Sequence, residues 1–148
     1  MKIMAITENE ILMGRDGESP LTHELEKNLE KLLKALNQFR EIYAKPMIVS
    51  SGYRPAQYNT LAGGAKKSNH MLCLACDFVD LDSALDIYCV ENQNVLAECG
   101  LYLEHPKWTK TWCHLQVISP ASGKRIFVPQ ATEPTIDKLD KLFINLKI

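Results

Sequence analysis

The apolar positions Leu21, Leu25, Leu29, Leu32, Leu33, Leu36, Phe39 and Tyr43 recur at spacings of three and four, which lines them along one face of a long amphipathic helix. Ser19 followed by Pro20 offers an N-cap and a preset first turn, and Pro46 stops continuation, so the helix is expected to reach Ala44. Next, "PMIVSSGYRP" is a short β-branched run stopped by Gly52. A turn and a brief helix through "AQYNTLA" follow, closed by Gly63 and Gly64. Further on, Asp82 is placed to cap a helix carrying Leu85, Cys89 and Leu96 and ended by Gly100. Two strands, "LYLE" and "WCHLQVI", flank a polar loop containing Pro106, and a third, "RIFVP", comes after the turn residues of "SPASGK". Ile136, Leu139, Phe143 and Leu146 return to a helical period. The pattern predicts an α+β domain with helices on one side of a small antiparallel sheet. With no repeat, linker or low-complexity stretch, residues 1–148 are expected to form a single domain.

Composition narrows this picture. A chain of 148 residues, 46% hydrophobic, suits one compact domain with a full core. A formal charge of −1, with acids and bases interspersed, leaves no basic surface for gripping nucleic acid or an anionic membrane, so neither is expected as a partner. The N-terminus "MKIMAITENEILMGRDGE" reaches Glu8 too soon for the apolar core of a secretory signal, and no segment approaches the roughly 18 apolar residues that span a bilayer. Cytoplasmic synthesis of a monomer is the expectation. The cysteines Cys73, Cys76, Cys89, Cys99 and Cys113 are odd in number and sit in apolar company, as reduced, buried thiols do.

Candidate chemistry concentrates in "KKSNHMLCLACDFVD", which holds His70, a Cys-x-x-Cys pair and Asp77. His70 and Asp77 are seven apart, and on a straight strand that odd spacing would point them to opposite faces. They meet only if the chain turns or bulges between them. His114 adds weight, because it lies in the alternating strand "WCHLQV" beside Trp112 and Gln116 on the same face, which points to a lined cleft. Two imidazoles and one carboxylate make a three-ligand set of the catalytic zinc type, with a fourth position left for water. Taken one at a time, these residues have blander readings: a satisfied polar histidine for His70, a strand-end cap for Asp77. A redox pair would need Cys73 and Cys76 to open a helix, where thiol pKa falls, whereas Leu72, Leu74 and Ala75 around them favour burial.

The segment "SSGYRPAQYNTLAGGAKKSNHMLCLACDF", followed at a distance by "TWCHLQV", resembles the zinc D-alanyl-D-alanine carboxypeptidases and the related L-alanyl-D-glutamate endopeptidases used as phage endolysins, which share a fold with the hedgehog signalling domain. The family pattern S-G-Y-R, S-x-H-x-x-G-x-A-x-D, then an aromatic shortly before a final His, is met by Ser51, Gly52, Tyr53, Arg54, Ser68, His70, Ala75, Asp77, Trp112 and His114. The resemblance implies a hedgehog/DD-peptidase-like fold, zinc held by His70, Asp77 and His114, and hydrolysis of D-residue-containing peptidoglycan peptides at the bacterial cell wall by a phage-encoded protein. It further implies that Arg54 holds or polarises a substrate carbonyl or carboxylate, to which its planar fork is suited. Ser68, Tyr53 and Trp112 would help bind the substrate peptide. The plainer alternatives are a salt bridge closing the "GYRP" turn for Arg54 and a turn hydroxyl for Ser68.

Two positions depart from the pattern. The glycine between His and Asp is Cys73, which puts a side chain where backbone freedom is often needed. The acidic residue that commonly serves the family as general base, three before the last His, is Thr111. If "LYLE" and "WCHLQV" pair as a hairpin, Glu104 shares a face with His114 at about 4.5 to 8 Å between Cβ atoms, which makes Glu104 the candidate base. A solvated strand-end carboxylate is its alternative. Asp80 and Asp82 read as turn and cap residues, and His105 as either a site neighbour or a loop residue. The sequence therefore supports a zinc peptidase, carboxypeptidase or endopeptidase, with a non-catalytic zinc-containing binding or virion-structural module of the same fold as the alternative.

Overall fold

The computed structural model describes residues 4–129. The C-terminal helical period expected over 136–146 lies outside them, and with it the expectation of one domain over the full length.

Helix α1, Glu8–Leu12, opens the described chain. Its start is a capping box, in which Thr7 Oγ1 accepts from the Glu10 amide while the Glu10 carboxylate accepts from the Thr7 amide. The pattern T-E-N-E was present in the sequence, but the element is too short to show a period. Helix α2, His23–Tyr43, is the long amphipathic helix, and it buries Leu29, Leu32, Ala35, Leu36 and Phe39. Its N-cap is Thr22 rather than Ser19: Thr22 accepts from the Leu25 amide. It ends at Ala44 in the left-handed conformation, two residues before Pro46.

Strand β1, Val49–Ser51, and helix α3, Ala56–Leu61, follow as expected. A single 3₁₀ turn, Asn69–Leu72, carries His70 and leads into β2, Ala75–Val79. The helix expected from Asp82 to Gly100 is two, α4 (Ala84–Glu91) and α5 (Gln93–Cys99), broken at Asn92 with φ −129° and ψ 50°. The Asp80 carboxylate reaches past the α4 cap to accept from the Leu85 and Asp86 amides, and Asp82 accepts from Ala84, so both serve helix capping. Strands β3 (Tyr102–Glu104), β4 (Trp112–Gln116) and β5 (Ile126–Phe127) complete the sheet.

The five strands are ordered β1-β2-β4-β3-β5. Every pair is antiparallel except β3 with β5, so the sheet is mixed at one edge rather than wholly antiparallel. Period-2 alternation sorts its residues. Cys76 and Phe78 of β2, Cys113 and Leu115 of β4 and Leu103 of β3 join Leu32, Leu36, Phe39 and Leu96 in one apolar core. Asp77, His114 and Gln116 lie on the opposite face, above which the loops 62–70 and 120–122 and the segment 127–129 enclose a cavity of about 810 Å³. The fold is α+β, with α1, α2, α4 and α5 contributing to the apolar core on one face of the sheet and the cavity on the other.

All five cysteines are free and buried, as the apolar surroundings predict. Burial pushes the Cys73 thiol up to about 12 and Cys76 well above its ordinary value, the reverse of what a redox pair needs. Cys73 takes φ 56° and ψ 32°, the left-handed region that glycine enters without strain, and here the chain reverses between the 3₁₀ turn and β2. That reversal is the turn that the spacing of His70 and Asp77 demands.

Candidate active site

Asp77 is the centre of the site. In the β2–β4 register it stands directly opposite His114, and His70 comes down onto it from the 3₁₀ turn. One ligand-competent atom from each of His70, Asp77 and His114 falls within 4.8 Å of the other two. His70 Nε2 lies 3.2 Å from Asp77 Oδ2, and His114 Nδ1 lies 2.8 Å from Asp77 Oδ1.

The far side of each ring fixes its tautomer. His70 Nδ1 is 2.9 Å from the Gly52 carbonyl oxygen, which only accepts, so Nδ1 carries the proton and Nε2 the lone pair. His114 Nε2 is 2.8 Å from Gln116 Oε1, so the neutral ring presents its Nδ1 lone pair to Asp77. Two imidazole lone pairs therefore face a carboxylate. His70 Nε2 is buried and, despite its short distance to Asp77, makes no hydrogen bond. Such a set is stable only around positive charge, either a proton or a metal cation that displaces it.

The electrostatics agree. Burial opposes the Asp77 charge, but the two histidines hold its carboxyl well below the usual carboxylate range. Burial lowers the His70 pKa and outweighs Asp77, which keeps that ring neutral and its lone pair free. For His114 burial also pulls downward, yet the Asp77 hydrogen bond and charge raise it. The donor types, N, O and N, are those of a catalytic zinc site, and the carbonyl and amide behind the rings are the partners that orient ligating histidines. The residues fit zinc.

Around this centre the cavity gathers Arg54, Ser68, Glu104 and Trp112. Continuing the register Tyr102↔Gln116 and Leu103↔Leu115 by one rung sets Glu104 across from His114, as the hairpin parity requires. Burial raises the Glu104 pKa, and the His114 charge works against that rise. Arg54 Nη2 is 3.5 Å from Ser68 Oγ, and its Nε is buried without a partner. Ser68 Oγ also accepts from the His70 amide, which ties the 3₁₀ turn to the cavity floor.

Three expectations need correction or settle differently. Tyr53 does not face the cleft: it is 4% exposed and packed in the core, and its hydroxyl donates to the Ser19 carbonyl at 3.3 Å. Past the end of β1 at Ser51, the Tyr53 amide donates to the Ile11 carbonyl and its ring packs inward, while the Arg54 amide donates to the His70 carbonyl and its side chain lines the cavity. His105 accepts from the Lys107 amide and meets Trp108 edge to face, outside the cavity lining. Thr111 is exposed and outside the cavity lining, and its hydroxyl supplies no carboxylate at the usual base position. Gly52, a strand stop and motif residue in the sequence, contributes its backbone carbonyl to the site. Alternation placed Gln116 on the site face without showing what it does.

Peptidase M15 is the family whose sequence profile matches the chain, over residues 4–115, a span that holds His70, Asp77 and His114 together with Arg54, Ser68, Glu104 and Trp112. No curated protein matches. Among solved structures, that of Serratia marcescens L-Ala D-Glu endopeptidase ChiX is similar at 22% identity and a TM-score of 0.43, covering 70% of this chain and 93% of that one. On the strength of the family match, which spans most of its length, the chain belongs to the peptidase M15 family and is a metallopeptidase.

Proposed function

We propose that this chain is a zinc peptidase that hydrolyses D-residue-containing peptides of bacterial peptidoglycan, acting at the cell wall. The observation that carries the metal is the convergence of two imidazole lone pairs on the Asp77 carboxylate, with both outward nitrogens already committed. The substrate class rests on the family and on the match of Ser51, Gly52, Arg54, Ser68, His70, Asp77 and His114 to the wall-peptidase pattern.

Bound zinc supplies Lewis acidity at the scissile carbonyl and acidifies a water. The remaining roles belong to side chains. Glu104, across β4 from His114, takes the proton from the attacking water and returns it to the leaving amine nitrogen. A pKa above the ordinary carboxylate value brings it nearer the working range of such a base. Arg54 presents its guanidinium to a substrate carboxylate or carbonyl oxygen, and its unpartnered Nε is part of that fork. Ser68, whose oxygen already accepts from the His70 amide, keeps its own O–H for a peptide carbonyl. Trp112 walls the cavity with an apolar face.

The test is digestion of purified peptidoglycan by the zinc-loaded protein, with released peptides identified by mass spectrometry and a chelated arm alongside. The proposal expects peptides with new termini at a D-residue bond, lost on chelation and recovered with zinc. Zinc binding without released peptides from any wall chemotype would instead favour a non-catalytic module.

A further inference from the structure

The two histidines of the site are locked by different means. Behind His70 stands a backbone carbonyl, whereas behind His114 stands a side chain, Gln116, which is 3% exposed on the same face of β4. A buried glutamine in a strand that otherwise alternates toward the core calls for a reason. Its amide is not free to flip. Gln116 Nε2 donates to the Ile118 carbonyl at 2.8 Å, and a flip would set two acceptor oxygens against each other there. Oε1 therefore faces His114 Nε2 at 2.8 Å, and Asn69 Nδ2 approaches the same oxygen at 3.4 Å. Asn69 directly precedes His70, so this oxygen links the two halves of the site.

We propose that Gln116 is a positioning residue for the metal centre: anchored on the Ile118 carbonyl, it holds His114 as the Nε2–H tautomer and so aims the Nδ1 lone pair at the cation seat. The inference rests on the zinc reading of His70, Asp77 and His114. Outer partners of this kind typically govern metal affinity by 10- to 100-fold. A glutamine does so without adding charge, which a carboxylate in that place would.

Two measurements test it with zinc as the probe. Long-range proton–nitrogen spectra of the zinc-loaded parent should show His114 protonated on Nε2, with Nδ1 the metal-facing nitrogen. The Gln116→Met variant keeps the side-chain length and removes the acceptor. In competition with a chromophoric chelator it should bind zinc about 10- to 100-fold more weakly, and its zinc-loaded His114 should no longer be fixed as the Nε2–H form. A merely structural glutamine would lower the melting temperature of that variant without moving either readout. Unchanged affinity in Gln116→Met overturns the proposal, and so does Nδ1–H on His114 in the zinc-loaded parent, which decides the matter even if the variant does not fold. A folded parent that takes up no zinc sinks the metal reading and the proposal with it, an outcome distinct from a zinc-binding parent whose variant binds equally well.

Discussion

Gly52 is where a single methyl group should reach the site from outside it. A Cβ built there would lie 2.8 Å from both the carbonyl carbon and the Cα of Ile11, and closer still to the Ile11 oxygen. All three are backbone atoms, and the Ile11 oxygen is also held by the Tyr53 amide at 2.8 Å, so the neighbour cannot swing aside as a side chain would. Gly52→Ala must therefore push α1 and β1 apart. Overpacking of this kind costs about 1 to 3 kcal/mol. For a domain of this size each kcal/mol lowers the melting temperature by roughly 2 to 4 °C, so the loss should be about 2 to 12 °C. The same displacement moves the Gly52 carbonyl off His70 Nδ1, which weakens zinc binding by about 10-fold or more. Scanning calorimetry of the zinc-free protein reads the first effect, and chelator competition reads the second. A variant with parental melting temperature and parental zinc affinity would refute both the packing argument and the role given to this carbonyl.

Glu104→Gln keeps shape and removes basicity; it should hold zinc normally in elemental analysis and release peptides about 100-fold more slowly or worse. A parental rate would remove Glu104 from the mechanism. The double variant Cys73→Ala, Cys76→Ala should keep its zinc and its activity, with lower stability from lost packing, because the ligand set is complete without the thiols. Metal loss from the folded double variant would point to a cysteine-containing site. Asp86 is 1% exposed, and burial raises its carboxyl from the ordinary 3.8 to about 6. Well below pH 3.8 it is protonated folded or unfolded. As pH rises toward 6 the unfolded chain ionises first, so stability is lost across that window, by roughly 3 kcal/mol at 1.36 per pH unit. Denaturant titrations should show Asp86→Asn gaining on the parent by that order between pH 4 and pH 7, and a constant difference would contradict the assignment.

Long-period features of the fold were legible in the sequence. The three-and-four spacing from Leu21 to Tyr43 gives α2, and the alternation in "WCHLQV" puts His114 and Gln116 on one face and Cys113 and Leu115 in the core. Short elements and their caps were less so. Ser19 before Pro20 has the look of a cap, yet the helix begins three residues later, where Thr22 accepts from the Leu25 amide. The break at Asn92 has no glycine or proline to announce it. The parallel β3–β5 pair depends on a return path that periodicity does not encode. In the site, side chains with metal-ligating chemistry stood out, whereas the Gly52 carbonyl has no side chain to notice. Tyr53 lies in the core although its motif neighbours Gly52 and Arg54 both serve the site, because beyond the end of β1 its amide is held by the Ile11 carbonyl of α1 and its ring joins the buried apolar cluster.

The most direct test of the central claim is the zinc content of the purified protein and of His114→Ala, by elemental analysis after dialysis against metal-free buffer. The account predicts about one zinc per parent chain and a large loss in the variant, since two ligands remain of three. A parent without zinc, or a variant that keeps all of it, would contradict a metal centre built from His70, Asp77 and His114.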